Sequence, residues 1–311
     1  WGIPCTFLYN ILAAIIRSLG DSKTPVVFLA VSSGINIVLD LVFVLAFDMG
    51  VEGPAIATVL AQGISGIVCL WYMYRKFPVL HASREEWRPE LSYMGKLCYI
   101  GVPMGLQYSV TAIGTLVLQA AVNGLGAAVV AGVTAGQKIN AFIQCPLEAL
   151  GQTMAPYAGQ NMGAGKIDRI GKGLKSAVLM GWGVGMGFVV SVLCFVLAIF
   201  FGKQLTTLFV DASETTIISY SYQFLLYCTG GYCLLTLVNT VRFTIQGMGF
   251  SIFAILSGIM EMIARILAAT VVVQMIGFAG TCLAHPMAWL FADVFLIPAF
   301  FWCRKKVAKQ G

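Results

Sequence analysis

The chain has 311 residues, 59% of them apolar and only 10% charged, with a net charge of +6 and a mean hydropathy of +0.87. A water-soluble domain is about one quarter charged because its surface must be solvated, so a soluble enzyme and a disordered chain are both excluded. Glycine is abundant but has no every-third-residue period, which excludes a collagen-like chain; the composition is that of a polytopic helical membrane protein.

About 20 helical residues cross a bilayer core, and nine apolar runs reach that length. The first ends near Leu19, where Gly20, Asp21, Ser22, Lys23, Thr24 and Pro25 punctuate the chain as a turn. The second covers about 25–47 and the third about 54–74, closing on Tyr72, Tyr74, Arg75 and Lys76, an interfacial aromatic and basic anchor. A polar interval with Arg84, Glu85, Glu86, Arg88, Glu90 and Lys96 then divides the chain. Residues 1–80 are expected to hold three membrane helices, 81–96 a cytoplasmic linker, and 97–311 six helices and a cytoplasmic tail. Those six fall at about 97–122, 127–150, 176–201, 216–241, 251–275 and 280–302, with a Gly-, Lys- and Arg-rich loop at 159–175.

Lys and Arg accumulate on the cytoplasmic side of a membrane protein. On this span count, all of the 19 basic residues except Lys138, Lys203 and Arg265 fall on one side, Arg242 among them in a loop. That side is read as cytoplasmic and includes the C-terminus, so the first span starts outside. The chain begins at Trp1, and an odd number of spans is expected upstream.

An internal echo accompanies this. Asn10, Ile16 and Gly20 return 229 positions later as Asn239, Ile245 and Gly249, and Gly50, Gly53, Ala57 and Ala61 return 227 later as Gly277, Gly280, Ala284 and Ala288. Each pair joins loops of the same sidedness, which points to a parallel repeat about an axis along the membrane normal. If spans one to three match seven to nine, three helices precede Trp1, and the whole protein has two six-helix halves.

The nine cysteines lack Cys-x-x-Cys spacing and behave as small hydrophobes inside apolar runs, so neither a zinc site nor a disulfide frame is expected. His285 precedes Pro286 in an apolar run and reads as a hydrogen-bonded core histidine. Glu148 and Asp293 read as lying near span ends, where solvent suffices.

The sequence Arg17-Ser-Leu-Gly20-Asp-Ser-Lys-Thr-Pro25, followed by Asn36-x-x-x-Asp40 and Gly50-Val-x-Gly53-x-Ala55-x-Ala57-Thr58, carries a family resemblance. It continues through Gly101-Val-Pro103, Gln137-x-x-Asn140 and Ala158-Gly-Gln160-Asn-x-Gly163-Ala-Gly165. In the order and spacing of these segments the chain resembles the multidrug and toxic compound extrusion family along essentially its whole length. The resemblance implies an all-α membrane protein: nine transmembrane helices of a twelve-helix, two-lobe fold with parallel six-helix repeats. It also implies that the amino-terminal lobe's first three helices lie upstream. Where some family members carry carboxylates in the carboxy-terminal lobe, this chain has Thr111 and Thr236, which turns attention to the other lobe.

A carboxylate at membrane depth costs several kcal/mol unless it pairs, binds a cation or is protonated. Asp40 sits two-thirds along the second span, with Asn36 one turn earlier on the same face and Thr58 in reach on the next span. Together they offer hard oxygen ligands for H⁺ or Na⁺, and the resemblance implies that they form a cation-coupling site. The alternative is that Asp40 caps a helix or pairs with a basic residue upstream. Glu261 and Arg265, spaced i, i+4, form an ion pair that serves either as a gate or protonatable group or simply as a self-neutralised pair in a wet helix face. Gln137, Lys138 and Asn140 make a polar face suited to substrate contact or to helix–helix hydrogen bonding.

The expected function is a cation-coupled antiporter in the cell membrane, multi-pass and monomeric, exporting drugs or other organic, cationic compounds by alternating access. H⁺ or Na⁺ is the coupling ion; no cofactor, structural metal or nucleic acid is expected, and the bilayer is the surrounding partner. A lipid-linked precursor flippase would want a strongly basic cavity, and only Lys138 and Arg265 lie well inside spans. A membrane enzyme would need a convergent His-, Asp- or Ser/Lys-containing constellation, and none with His is present. A third alternative is a truncated remnant that inserts but does not transport, since only one lobe would be whole.

Overall fold

The apolar runs are helices in the computed structural model, which describes residues 2–81, 89–182 and 213–309 with a few positions between 203 and 211. No strand occurs among the described residues. The chain divides into two compact units, Trp1–Leu91 and Ser92–Gly311.

The first unit contains α1 (Ile3–Ser18), α2 (Lys23–Ala46) and α3 (Glu52–Lys76). Small residues on α3, among them Ala57, Ala61, Ser65 and Cys69, form a buried stripe that lets backbones approach closely where lipid gives no hydrophobic drive between helices. Two side chains bind α2 to α3: Ser32 Oγ donates to the Ala61 carbonyl at 3.1 Å, and Ser65 Oγ to the Phe28 carbonyl at 3.4 Å. At the α1–α2 turn, Asp21 accepts from Lys76 Nζ at 2.9 Å, Tyr72 Oη at 2.8 Å, Thr24 Oγ1 at 2.8 Å and the Thr24 backbone N–H at 3.1 Å. The Lys76 bond foremost, then those from Thr24 and Tyr72, holds the Asp21 carboxyl well below the usual carboxylate range.

The second unit contains α4 (Leu91–Asn123, from Ser92 on), α5 (Ala127–Gly163), α6 (Ile167–Trp182), α7 (Thr215–Gly230), α8 (Tyr232–Gly247), α9 (Ile252–Ile276) and α10 (Phe278–Ala308). Its core is built around Leu147, Phe224, Tyr232, Ile245, Trp289 and Leu296. Glycines set the closest approaches. A Cβ on Gly151 would stand 2.7 Å from that of Asn239, and one on Gly247 would run into the Ala155 carbonyl, so α8 lies directly on α5.

Among the described residues, α2, α3, α4, α9 and α10 are each long and apolar enough to cross a membrane. The pair α7 and α8, bent by 51°, reaches that length and apolarity only when the two are taken together. The run predicted as one span at 216–241 is thus two helices, broken at Gly230 and Gly231, a glycine pair of the kind that kinks helices. Gly231 leaves room for Pro286 and Trp289, each about 3.0 Å from where its Cβ would sit. The expected loop at 159–175 is mostly helix: α5 runs on to Gly163, α6 starts at Ile167, and only 164–166 turn, with Gly165 at φ +67°. Hydropathy marks where a helix leaves the bilayer, which is not where it ends. Of the span predicted at 176–201, the part from 183 onward lies outside the described residues.

The positions of the sequence echo share local geometry. Gly50 and Gly277 have φ of 55° and 58°, each following a π turn, Val42–Ala46 in α2 and Ala268–Val272 in α9. Gly20 and Gly249 have φ of 93° and 86°.

Candidate functional site: a membrane carboxylate in each unit

In the first unit, Asn36 and Asp40 stand one turn apart on α2 and face Thr58 on α3. Asn36 Nδ2 donates to Asp40 Oδ1 at 3.3 Å and to Thr58 Oγ1 at 3.4 Å. The Thr58 hydroxyl spends its own proton on the Pro54 carbonyl at 2.8 Å, leaving its oxygen free to accept. The three residues named from sequence are therefore brought together. Asp40 and Asn36 are half-buried and Thr58 is exposed, so the carboxylate keeps access to an approaching ion.

The second unit holds a different arrangement. Glu261 is bonded by Arg265, one turn along α9, at 3.0 Å, and also by Arg242 of α8. Arg242 Nε further donates to Ser257 Oγ at 3.0 Å, and Ser257 donates to the Ala254 carbonyl at 2.8 Å. The predicted Glu261–Arg265 pair is present, but it is half of a three-membered cluster. A seventh span ending at 241 places Arg242 in a cytoplasmic loop; α8 instead continues to Gly247 and buries Arg242 with 8% of its surface exposed. The missed signal was the turn at Met248 to Ser251, which folds α9 back so that Glu261 meets Arg242.

Asp293 is likewise corrected. It lies in the middle of α10, 3% exposed, and neither carboxylate oxygen has a hydrogen-bond partner among the described residues. Its charged neighbours are Arg242 and Glu261. His285, read as hydrogen-bonded, is half-buried with Nε2 unpartnered among the described residues, its ring edge-on to Phe224 at 5.7 Å.

The expected polar face of Gln137, Lys138 and Asn140 does not stay together. Asn140 turns inward and its Oδ1 accepts from Tyr232 Oη at 2.5 Å, Gln137 is half-buried, and Lys138 is exposed. Thr111 is half-buried with its hydroxyl unpartnered among the described residues, and Thr236 donates to the Tyr232 carbonyl at 2.9 Å. Gln246 Nε2 donates to Gln107 Oε1 at 2.9 Å, a neutral polar link between α8 and α4. No His/Cys/Asp/Glu group able to hold a transition metal occurs among the described residues.

Long apolar helices holding a carboxylate among neutral oxygen groups and a second, ion-paired one define the class of a polytopic helical membrane protein. The MatE family model matches residues 103–271, and the chain belongs to this family of multidrug and toxic compound extrusion transporters. It is 36% identical over 171 residues to Bacillus subtilis YpnP, named "Probable multidrug resistance protein", an alignment covering 54% of this chain and 38% of that protein. To B. subtilis YoeA, which carries the same description, it is 25% identical over 99% of the chain and 68% of the relative. To the "Multidrug export protein MepA" of Staphylococcus saprophyticus it is 24% identical over 82% and 56%. Among solved structures, an outward-facing MATE family transporter superposes with a TM-score of 0.86 at 19% identity, over 97% of this chain and 66% of that one. The Vibrio cholerae transporter VcmN in its bent form gives 0.85 at 18% identity. The chain thus spans between about two fifths and two thirds of the lengths of these proteins.

Proposed function

We propose that the protein acts as a cation-coupled antiporter that exports organic, cationic compounds by alternating access, with Asp40, Asn36 and Thr58 as the cation site. The convergence of these three side chains from α2 and α3 is the observation that carries this reading. Relatives named as multidrug export and resistance proteins support the substrate class. Asn36 directs its N–H groups at Asp40 and Thr58, an arrangement suited to an ionised carboxylate. Uptake of H⁺ neutralises Asp40 directly, whereas Na⁺ requires the amide to turn over and present its oxygen. Turning the amide removes the Asn36–Thr58 contact between α2 and α3, whereas a proton on Asp40 alters the Asn36–Asp40 contact within α2. The conformational preference then shifts by the ion's differential affinity for the two states.

In this reading residues 1–80 and 97–311 belong to two lobes joined by 81–96. The chain makes nine crossings of the cell membrane as a monomer, with its C-terminus in the cytoplasm, and α1–α3 and α7–α10 are parallel repeats. Matching glycine geometry after the two π turns supports the repeat. Glu261, bonded by both arginines, serves as an internal counter-ion, which leaves coupling to Asp40. Because both are bonded to Glu261, Arg242 and Arg265 do not make the strongly basic cavity that a diphosphate flippase needs. Lys138 and Gln137 are assigned to the substrate cleft.

The test is gradient-driven efflux from vesicles containing the protein. Asp40→Asn is expected to abolish coupled efflux while leaving insertion unchanged. Unchanged pH- or sodium-driven efflux by that variant would overturn the assignment.

A further inference from the structure

Buried carboxylates in membrane helices normally resemble Glu261, held by cations that neutralise them and fill their hydrogen-bonding capacity. Asp293 does not. It is 3% exposed in mid-α10, and neither oxygen has a partner among the described residues. Its own stripe of α10 offers little: Trp289, one turn earlier, is buried, and His285, two turns earlier, is half-buried.

The charges that face it come from the helices packed on α10. From α8 there is Arg242, the sole charged residue of that helix, and from α9 there is Glu261, itself bonded to Arg265. Helix α7 carries no charged residue. Helix α6 brings Asp168, Arg169, Lys172 and Lys175, but α6 meets α10 where Asp168 faces Arg304 at 3.5 Å. That point is eleven residues further along α10, about 16 Å from Asp293. On α10 itself the other ionisable groups are His285, Arg304, Lys305 and Lys306, with Cys282 and Cys303. The sequence between 183 and 201 contains no Asp, Glu, Lys, Arg or His.

The local balance of charge follows. Ionised Asp293 makes a set of two guanidiniums and two carboxylates that sums to zero, but it leaves a buried anion without a hydrogen bond. Protonated Asp293 removes the bare anion, but two guanidiniums then share one carboxylate and the set carries one positive charge at depth. Each state relieves one cost and incurs the other. Arg265 also has Nε and Nη1 unpartnered among the described residues, as has His285 at Nε2. Polar atoms here exceed their protein partners, the situation that admits buried water.

We propose that Asp293 is a proton-binding site of the second unit, separate from Asp40, with Arg242, Glu261 and Arg265 supplying the field that keeps its two protonation states close in free energy. The step is a simple transfer. A proton from water bonds to a carboxylate oxygen, and the Asp293 set gains one positive charge; on release the proton returns to water and the set is neutral again. Glu261 does not take that role, because both of its oxygens are already committed to arginines.

The experiment is infrared difference spectroscopy of the full chain in lipid nanodiscs as the pH is stepped from about 5 to about 9. The carbonyl stretch of a protonated carboxyl is expected to fade as pH rises, to be lost in Asp293→Asn, and to persist in Asp40→Asn. Asp293→Glu, which keeps the acid, is expected to retain a titrating band at a displaced frequency. It decides the matter if the Asn variant does not fold, and an undisplaced band there overturns the proposal. Retention of every titrating band in Asp293→Asn also overturns it. So does an Asp293 band that is present, or absent, throughout the pH range, since the group would then be a fixed acid or a fixed anion. Loss of efflux in Asp40→Asn has no bearing on these outcomes, so the two carboxylates are tested separately.

Discussion

Arg242 and Glu261 are hydrogen-bonded across the α8–α9 turn with less than a tenth of either side chain exposed. Nineteen residues apart in sequence, they neutralise each other where neither would be tolerated alone. Because Arg265 also bonds Glu261, one carboxylate answers for two cations. Replacing Glu261 with Gln therefore strands two buried guanidiniums, and a loss of about 3–5 kcal/mol is expected. Arg265→Met should cost less, because Arg242 still neutralises Glu261. Thermal unfolding in detergent measures both, and equal losses would show that the cluster does not act as described.

Tyr232 and Asn140 join α8 to α5 through a buried hydrogen bond of 2.5 Å. Tyr232→Phe leaves the Asn140 oxygen buried without its donor, at an expected cost of about 1–3 kcal/mol. A double-mutant cycle with Asn140→Leu should show that the two losses are not additive. Strict additivity would mean that the bond contributes nothing to stability.

Gly247 sits where α8 touches the backbone of α5 at Ala155. Gly247→Val forces the helices apart, with an expected destabilisation of about 1–3 kcal/mol. Gly163→Ala, in open space at the end of α5, serves as the control and should change little. Indistinguishable unfolding midpoints for the two variants would refute the close approach.

Asp21 makes the α1–α2 turn sensitive to acid. Its carboxyl is held below the ordinary range in the folded chain by Lys76, Thr24 and Tyr72. The unfolded carboxyl titrates near about 3.9, so below that pH the unfolded chain binds a proton that the folded chain still refuses. Stability from this group is thus present above about pH 4 and is lost as pH falls through the lower folded value. The unfolding midpoint of wild type should exceed that of Asp21→Asn at neutral pH, and the gap should narrow on acidification. A gap that stays constant to low pH would remove Asp21 from the account.

The sidedness read from the basic residues is open to cysteine labelling on a cysteine-free background. Asp168→Cys and Lys305→Cys are expected to react only from the cytoplasmic side, and Val51→Cys and Glu214→Cys only from outside. All four positions are exposed, so access reports the side rather than burial. One position reacting from the wrong face would mean that the span count is wrong.

Composition and hydropathy alone determined the membrane class and the helical architecture, because a bilayer demands long apolar runs that satisfy their own backbone. The Asn36, Asp40 and Thr58 group was equally legible. Two of its members are one helical turn apart, and the third lies just inside the neighbouring helix, so local periodicity nearly suffices. The break at Gly230 and Gly231 and the extension of α5 to Gly163 were not legible, since hydropathy records the bilayer's edge and not the helix's. Arg242 and Asp293 depended on tertiary structure altogether. Whether a charged residue near a hydropathy boundary meets water or another helix is decided by which face the neighbouring helices cover. That choice belongs to the packing of α8, α9 and α10, residues brought together from 242, 261 and 293, and no local pattern in any one helix contains it.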